Sequence, residues 1–181
     1  YSDRLSLFKA IKSIKDIIEK EKGNYIYVNV ASGSKIQAIA CMMACMVLKE
    51  CDNLQPFYAE PESYAAFEGK QQSFGIKDTI PLPTYEIQTP KPKLLAALKI
   101  ISEQKNQKIT KKEMAQIAED QEIITVNAEE ANHSQARFAS LDKNIILPLE
   151  RDWKFIEIEK IGRNRWIKIT QEGRDAAEFL I

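Results

Sequence analysis

The chain has 181 residues, 44% of them hydrophobic and 29% charged, which is enough to bury one large core or two small ones. Its 26 basic and 26 acidic side chains cancel, so no global basic field draws it to nucleic acid or to an anionic membrane, and any partner must be met by local patches. The apolar run from Ala38 to Leu48 is well short of the roughly 20 residues that span a bilayer, so no membrane role is expected.

Divided at residue 90, the chain carries 10 basic and 11 acidic residues before that point and 16 and 15 after it. Neither half has a decisive charge. The first residue is Tyr1, with no signal peptide in view, and the expectation is that further residues precede it and that the protein is cytoplasmic. Cys41, Cys45 and Cys51 show no Cys-x-x-Cys spacing, and the one histidine, His133, offers no partner set for zinc. No metal and no cofactor is expected. Cys41 and Cys45 lie one helical turn apart among Ala and Met, as buried reduced thiols do.

Residues 3–21 read as an amphipathic helix with Leu7, Phe8, Ile11, Ile14, Ile17 and Ile18 on its apolar side. Gly23-Asn24 ends it, and Tyr25–Val30 has the composition of a buried strand. Ala31-Ser32-Gly33-Ser34-Lys35 then turns the chain into a helix over 35–49. The first turn of a helix leaves amides without intrahelical partners and favours negative charge. Gly33 permits close approach, Ser32 and Ser34 add hydroxyls, and Lys35 adds a cation. Ala31, Ser32, Gly33, Ser34 and Lys35 are therefore the candidate site for a phosphate-bearing ligand. Neither a Walker A loop nor a dinucleotide fingerprint is present, and the alternative is a Ser-capped turn with Lys35 in solvent.

The helix over 35–49 is apolar almost all round, so it needs cover on more than one side, and a homodimer partner is one candidate. Residues 56–59 read as a second strand and 76–82 as a third. Helix and strand in alternation imply a parallel sheet with crossover helices, incomplete in this sequence. Four of the seven prolines, Pro81, Pro83, Pro90 and Pro92, crowd together. They divide the chain into a first domain over 1–82, a stiff linker over 83–92 and a second domain over 93–181.

The second domain begins with a helix carrying Leu94, Leu95, Leu98, Ile100 and Ile101, broken at 104–108. Thr110 and Glu113 form a capping box for the next helix, which turns Met114, Ile117 and Ala118 inward. A third helix begins at Asn132 or Ser134 and bears Phe138, Leu141, Ile145 and Leu149, with Pro148 kinking it or ending its regular part. Residues 155–159 and 166–170 alternate with period two across Gly162-Arg163-Asn164-Arg165, a β-hairpin whose inner face is Ile156, Ile158, Ile167 and Ile169. Thr170 caps a closing helix through Phe179. Three helices, a hairpin and a helix make a winged helix-turn-helix, whose third helix is placed for a major groove and whose hairpin tip meets the backbone or minor groove. Ser134, Gln135, Arg137 and Lys143 on the third helix, and Arg163, Asn164 and Arg165 on the wing, are the candidate DNA-binding residues. Glu129, Glu130 and Asp142 lie close to them and would repel phosphate. A protein-docking role for the winged helix is the alternative.

VNVASGSKIQAIACMMACM, PFYAEPESY, the proline-rich linker and LDKNIILPLERDWKFIEIEKIGRNRWIKITQEGR together resemble archaeal winged-helix regulators with a CARF domain (CRISPR-associated Rossmann fold). The resemblance implies an α/β fold, a partial Rossmann-like domain followed by a winged helix. It also implies a homodimer, a cyclic oligoadenylate bound across the two-fold axis, and transcription regulation. The family's turn usually reads Ser/Thr-Gly-Gly-Ser/Thr-Lys; Gly33, Ser34 and Lys35 match its last three positions and Ser32 stands at the first glycine. A ring nuclease is the enzyme alternative, in which Ser34 and Lys35 would orient a ribose 2′-hydroxyl and stabilise developing charge. No positioned general base accompanies them, so binding is the first reading and the ring nuclease stays as its alternative.

Overall fold

A computed structural model of the chain describes residues 6–49, 51, 53–64 and 73–181, and the contacts divide into one unit over 1–89 and another over 90–181. Leu82–Lys91, between the last strand of the first unit and the first helix of the second, contains neither helix nor strand.

In the first unit, helix α1 (Leu7–Lys20) starts where the Ser6 hydroxyl accepts from the Lys9 amide. Residues 3–5 of the expected helix lie outside the described residues. Ala10, Ile11 and Ile18 are buried, whereas Ile17 is 59% exposed. Ile17 was expected inside; it lies almost in line with buried Ala10 on the helix, but near the C-terminal end of α1, where it is left uncovered. Strand β1 (Ile26–Asn29), helix α2 (Lys35–Val47) and strand β2 (Leu54–Glu60) follow. β1 and β2 pair in parallel, from Ile26 opposite Leu54 to Asn29 opposite Phe57, and α2 makes the crossover. α2 packs on α1 and on β2, which buries Ala40, Ala44 and Cys45 and leaves Ile39 half exposed.

The expectation of a wholly parallel sheet is corrected by the third strand. After β2 the chain passes through the short pair β3 (Ser63–Tyr64) and β4 (Ser73–Phe74), and β5 (Asp78–Pro81) returns antiparallel to β2. A parallel return needs a crossover across the sheet. Here the Glu62 amide donates to the Phe74 carbonyl at 3.1 Å and the Lys77 amide to the Glu60 carbonyl at 2.8 Å, so the chain doubles back beside β2. Among the described residues the sheet order is β1-β2-β5.

The second unit contains helix α3 (Pro92–Glu103), strand β6 (Lys108–Thr110), helix α4 (Lys111–Asp120), helix α5 (His133–Leu141), strands β7 (Ile156–Ile161) and β8 (Asn164–Ile169), and helix α6 (Gln171–Leu180). β6 was not foreseen. It pairs antiparallel with β8, Ile109 opposite Ile167, and gives the sheet order β6-β8-β7. Leu98, Ile101, Met114, Leu141, Ile145 and Leu149 form the helical side of the core, and Ile156, Ile167 and Ile169 the sheet side. Ile158 is only half buried.

Regular α-helix stops at Leu141, seven residues before Pro148, and wide π-type turns continue over Asp142–Ile146 and Pro148–Asp152. Proline has no N–H and its ring clashes with the carbonyl four residues back; widening the turns relieves both conflicts. Lys154, at φ +57°, ends the run.

Gly173 fixes how α6 meets the sheet. A Cβ there would lie 2.1 Å from the Phe155 carbonyl oxygen and 2.8 Å from Ile169 Cγ1. Gly173→Ala gains helix propensity but must push backbone away from backbone. It is expected to destabilise the protein by about 1–3 kcal/mol, read as a lower urea midpoint at unchanged m-value; an unchanged or raised midpoint would show that the contact yields freely.

Candidate nucleic-acid interface

Helix α4 begins with the capping box foreseen in the sequence. The Thr110 hydroxyl accepts from the Glu113 amide at 3.2 Å, and the Glu113 carboxylate accepts from the Thr110 amide at 3.2 Å and from its hydroxyl at 2.7 Å. Those bonds, the hydroxyl's first, hold the Glu113 carboxyl below its ordinary range. The next residue, Lys111, folds back over α5. Its Nζ lies 2.6 Å from Asp142 Oδ2 and 5.7 Å from the centroid of the Phe138 ring. Asp142, one of the acids expected to repel phosphate, is therefore paired with a lysine of its own domain, although its side chain stays exposed.

On α5 and the turn after it, Ser134, Gln135, Ala139 and Lys143 are exposed. The spacing 135, 139, 143 puts three of them in one row. Arg137 points elsewhere. Its guanidinium donates to Gln116 Oε1 and, at 3.1 Å, to Glu119 Oε2, while Glu119 Oε1 lies 2.9 Å from His133 Nε2. Arg137 Nε is buried with no hydrogen-bond partner among the described residues. Of the residues singled out on the third helix, Ser134, Gln135 and Lys143 thus face solvent and Arg137 ties α5 to α4.

The wing turns at Gly162 and Arg163. Gly162 has φ +61°, the residue and sign a II′ hairpin takes at its first position. Arg163, Asn164 and Arg165 are all exposed at this tip. Lower on the hairpin, Lys168 sits between Glu157 at 2.9 Å and Glu159 at 3.1 Å, and these carboxylates, Glu157 first, raise its pKa. Lys108 Nζ lies 5.1 Å from the centre of the Trp166 ring, and Trp153 packs on Phe155 with centroids 5.6 Å apart. Both indoles are occupied in packing. A cleft of about 300 Å³ opens between Lys112, Phe138 and the wing tip Arg163–Arg165. Lys112 was missed in the sequence; the lysine pair inside the Thr-x-x-Glu box was the available signal.

The proposed ligand turn is on the first unit. Gly33 has φ +92°, and Ala31, Ser32, Ser34 and Lys35 are exposed. Ser34 and Gln37 cap each other: the Ser34 hydroxyl accepts from the Gln37 amide at 3.3 Å, and the Gln37 carboxamide oxygen accepts from the Ser34 amide at 2.9 Å. Asn29 Oδ1 accepts from the Ala31 amide at 2.9 Å. The Lys35 and Ile36 amides, at the first two helical positions, lack intrahelical acceptors. On α2, burial pushes the Cys45 thiol up to about 12, with neighbouring Cys41 adding to the shift, and burial also raises Cys41. These are free thiols, protonated at neutral pH.

The order helix, strand, helix, helix, hairpin, helix, with β6 closing a three-stranded sheet, is that of a winged helix, and residues 93–181 match the family described as DUF6293 C-terminal winged helix domain. The C-terminal unit is a winged-helix domain. Residues 2–64 match a second family, described as HFX_2341_N:-like, N-terminal. The chain is also similar to the uncharacterized protein MJ1513 of Methanocaldococcus jannaschii, 29% identical over 150 residues, which covers 70% of this chain and 44% of that protein. It therefore spans less than half the length of this relative. Among the described residues, no helix is long and apolar enough to cross a membrane.

Two outcomes follow for the winged-helix domain. Thr110→Ala should cost about 1 kcal/mol at pH 7. The folded Glu113 pKa is depressed, so its contribution is present above the unfolded carboxylate pKa and is lost as pH falls through the folded value. The gap between Thr110→Ala and the parent in urea denaturation should accordingly narrow in acid; a gap constant with pH would contradict the Glu113 part. Glu119→Gln leaves the Arg137 guanidinium without its counter-charge and should cost about 1.5–3 kcal/mol in the same measurement, whereas a surface pair would cost almost nothing.

Proposed function

We propose that the protein is a dimeric DNA-binding transcription regulator whose winged helix is controlled by a phosphate-bearing ligand at the first unit. DNA binding rests on one observation: the wing tip Arg163–Arg165 and helix α5, through Phe138, line the same cationic cleft. The exposed row on α5 offers Gln135, which can pair with adenine N6 and N7, and Lys143 for phosphate. In a dimer, two such domains would read half-sites about one helical turn apart.

The ligand half rests on the resemblance to CARF-domain regulators and on the chemistry of Ala31–Lys35. A cyclic oligoadenylate is the ligand the resemblance favours, with Rossmann-like packing of the first unit in the whole protein. Its phosphates would meet the Lys35 ammonium and the Lys35 and Ile36 amides, and would displace the Gln37 carboxamide to reach the Ser34 amide. Coupling of ligand to DNA occupancy would amount to about 1–3 kcal/mol, enough to tune a promoter.

Fluorescence anisotropy against duplex from the promoter of the protein's own operon tests the first half. Tight, steeply salt-dependent binding is expected, weakened by about 1–3 kcal/mol at the cognate site in Gln135→Ala. No binding would overturn the reading. Calorimetric titration with cyclic tetra- and hexa-adenylate tests the second half. Heat with the parent and none with Lys35→Ala is expected; equal heats would refute this site.

A further inference from the structure

In the sequence, α2 is the element that calls for cover by a second copy of the chain. In the structure α1 and β2 pack on it, and among the described residues Ile39 is the large apolar side chain of α2 that stands half exposed. The uncovered apolar surface lies on the other face of the β1-β2-β5 sheet. Successive strand residues face opposite sides of a sheet: Pro56 is fully buried, whereas its neighbours Gln55 and Phe57 line a cleft of about 320 Å³ with Tyr27, Thr79 and Pro81. All three strands contribute, and none of the five residues is charged. The Gln55 carboxamide donates to the carbonyls of Pro56 at 2.8 Å and Leu82 at 3.1 Å, so its N–H groups ask for no outside partner. Tyr27 is 69% exposed, and Tyr25, in step with it two residues earlier, is 77% exposed.

We propose that this sheet face is an interface with a second copy of the chain, Tyr25 of each protomer seated in the cleft of the other. The inference rests on the dimeric part of the reading above and deepens it by naming the surface. A two-fold interface is self-complementary, so one patch must hold both a projecting group and the recess that it fills. This patch holds both: Tyr25 projects, and the recess between Tyr27, Phe57 and Pro81 begins two residues along the same strand. Its aromatic walls suit a ring lying offset or edge-on to them. Tyrosine is enriched at protein interfaces, and charged residues are depleted from their centres. The area is of the right order. An aromatic side chain buries about 150–250 Å²; two tyrosines this exposed, with the cleft floor and the exposed Asn29, Thr79 and Pro81, approach the roughly 800 Å² per partner of a standard interface. Nucleic acid would ask for cations, and the cleft has none.

Sedimentation equilibrium of the full chain is the test. The parent should dimerise. Tyr25→Lys, Tyr27→Lys and Tyr27→Thr, the last keeping a strand-forming residue, should each weaken the dimer at least about thirtyfold, as loss of an anchor at an interface centre does. Ile39→Lys, on the half-exposed side of α2, should leave the dimer unchanged. Unaltered far-UV circular dichroism excludes misfolding as the cause. A dimer that survives all three tyrosine substitutions overturns this surface while the dimeric reading stands, and loss of the dimer in Ile39→Lys alone returns the contact to α2. A parent that stays monomeric at every concentration overturns both; binding of adenosine to that monomer, followed by tyrosine fluorescence and lost in Tyr27→Thr, would assign the cleft to a ligand's base instead.

Discussion

The ion pair between Lys111 and Asp142, closed over the ring of Phe138, holds the start of α4 against the far end of α5. Together with the contact between Glu119, near the end of α4, and Arg137, midway along α5, it ties the two helices to each other. Lys111 and Lys112 are neighbours in sequence, yet one turns inward to an acid and the other outward to the wing. A count of basic residues treats them as equal, whereas pairing separates them. The net charge of this half says little about nucleic acid for the same reason: Lys111, Arg137 and Lys168 are held by acids of the same domain, whereas Lys112, Arg163 and Arg165 line one cleft.

The same competition governs the turn at 31–35. Ser34 and Gln37 satisfy each other's amides, which is what a solvent-facing helix start does when nothing else occupies it. An anion arriving there competes with a carboxamide of the same chain. Gly33 keeps that competition open, since a Cβ at this position would lie 2.8 Å from the Gln37 side-chain oxygen. The glycine is thus explained by the cap as well as by any ligand, and binding measurements, not the presence of the glycine, must separate the two.

Much of the fold was legible because its signals are local. The Thr110–Glu113 box, the isoleucine alternation of the hairpin and the Ser/Gly turn each declare themselves within a few residues, and the Ile156, Ile167 and Ile169 face is buried as read. What escaped depends on distant partners. β6 is three residues whose strand character comes from pairing with β8, more than fifty residues later. β5 was taken as parallel because its direction follows from the β3–β4 pairing and not from its own composition. Ile17 looked apolar enough for the core but lies near the end of α1, where it is left uncovered. Arg137 resembled a base-reading residue until Glu119, from another helix, came within 3.1 Å of it. The lysine pair at Lys111 and Lys112 was visible, but the place of Lys112 beside the wing follows only from the fold.

The central claim is that the wing tip, the start of α4 and the exposed row of α5 form one surface for duplex DNA. The most direct measurement is an NMR titration of the full chain with a short duplex, following backbone amides and arginine Nε–Hε signals. The account predicts shifts gathered at Lys112, Ser134, Gln135 and Arg163–Arg165, with the Arg137 side-chain signal unmoved. Shifts scattered evenly over exposed lysines, or centred on Arg137 with the wing silent, would contradict it.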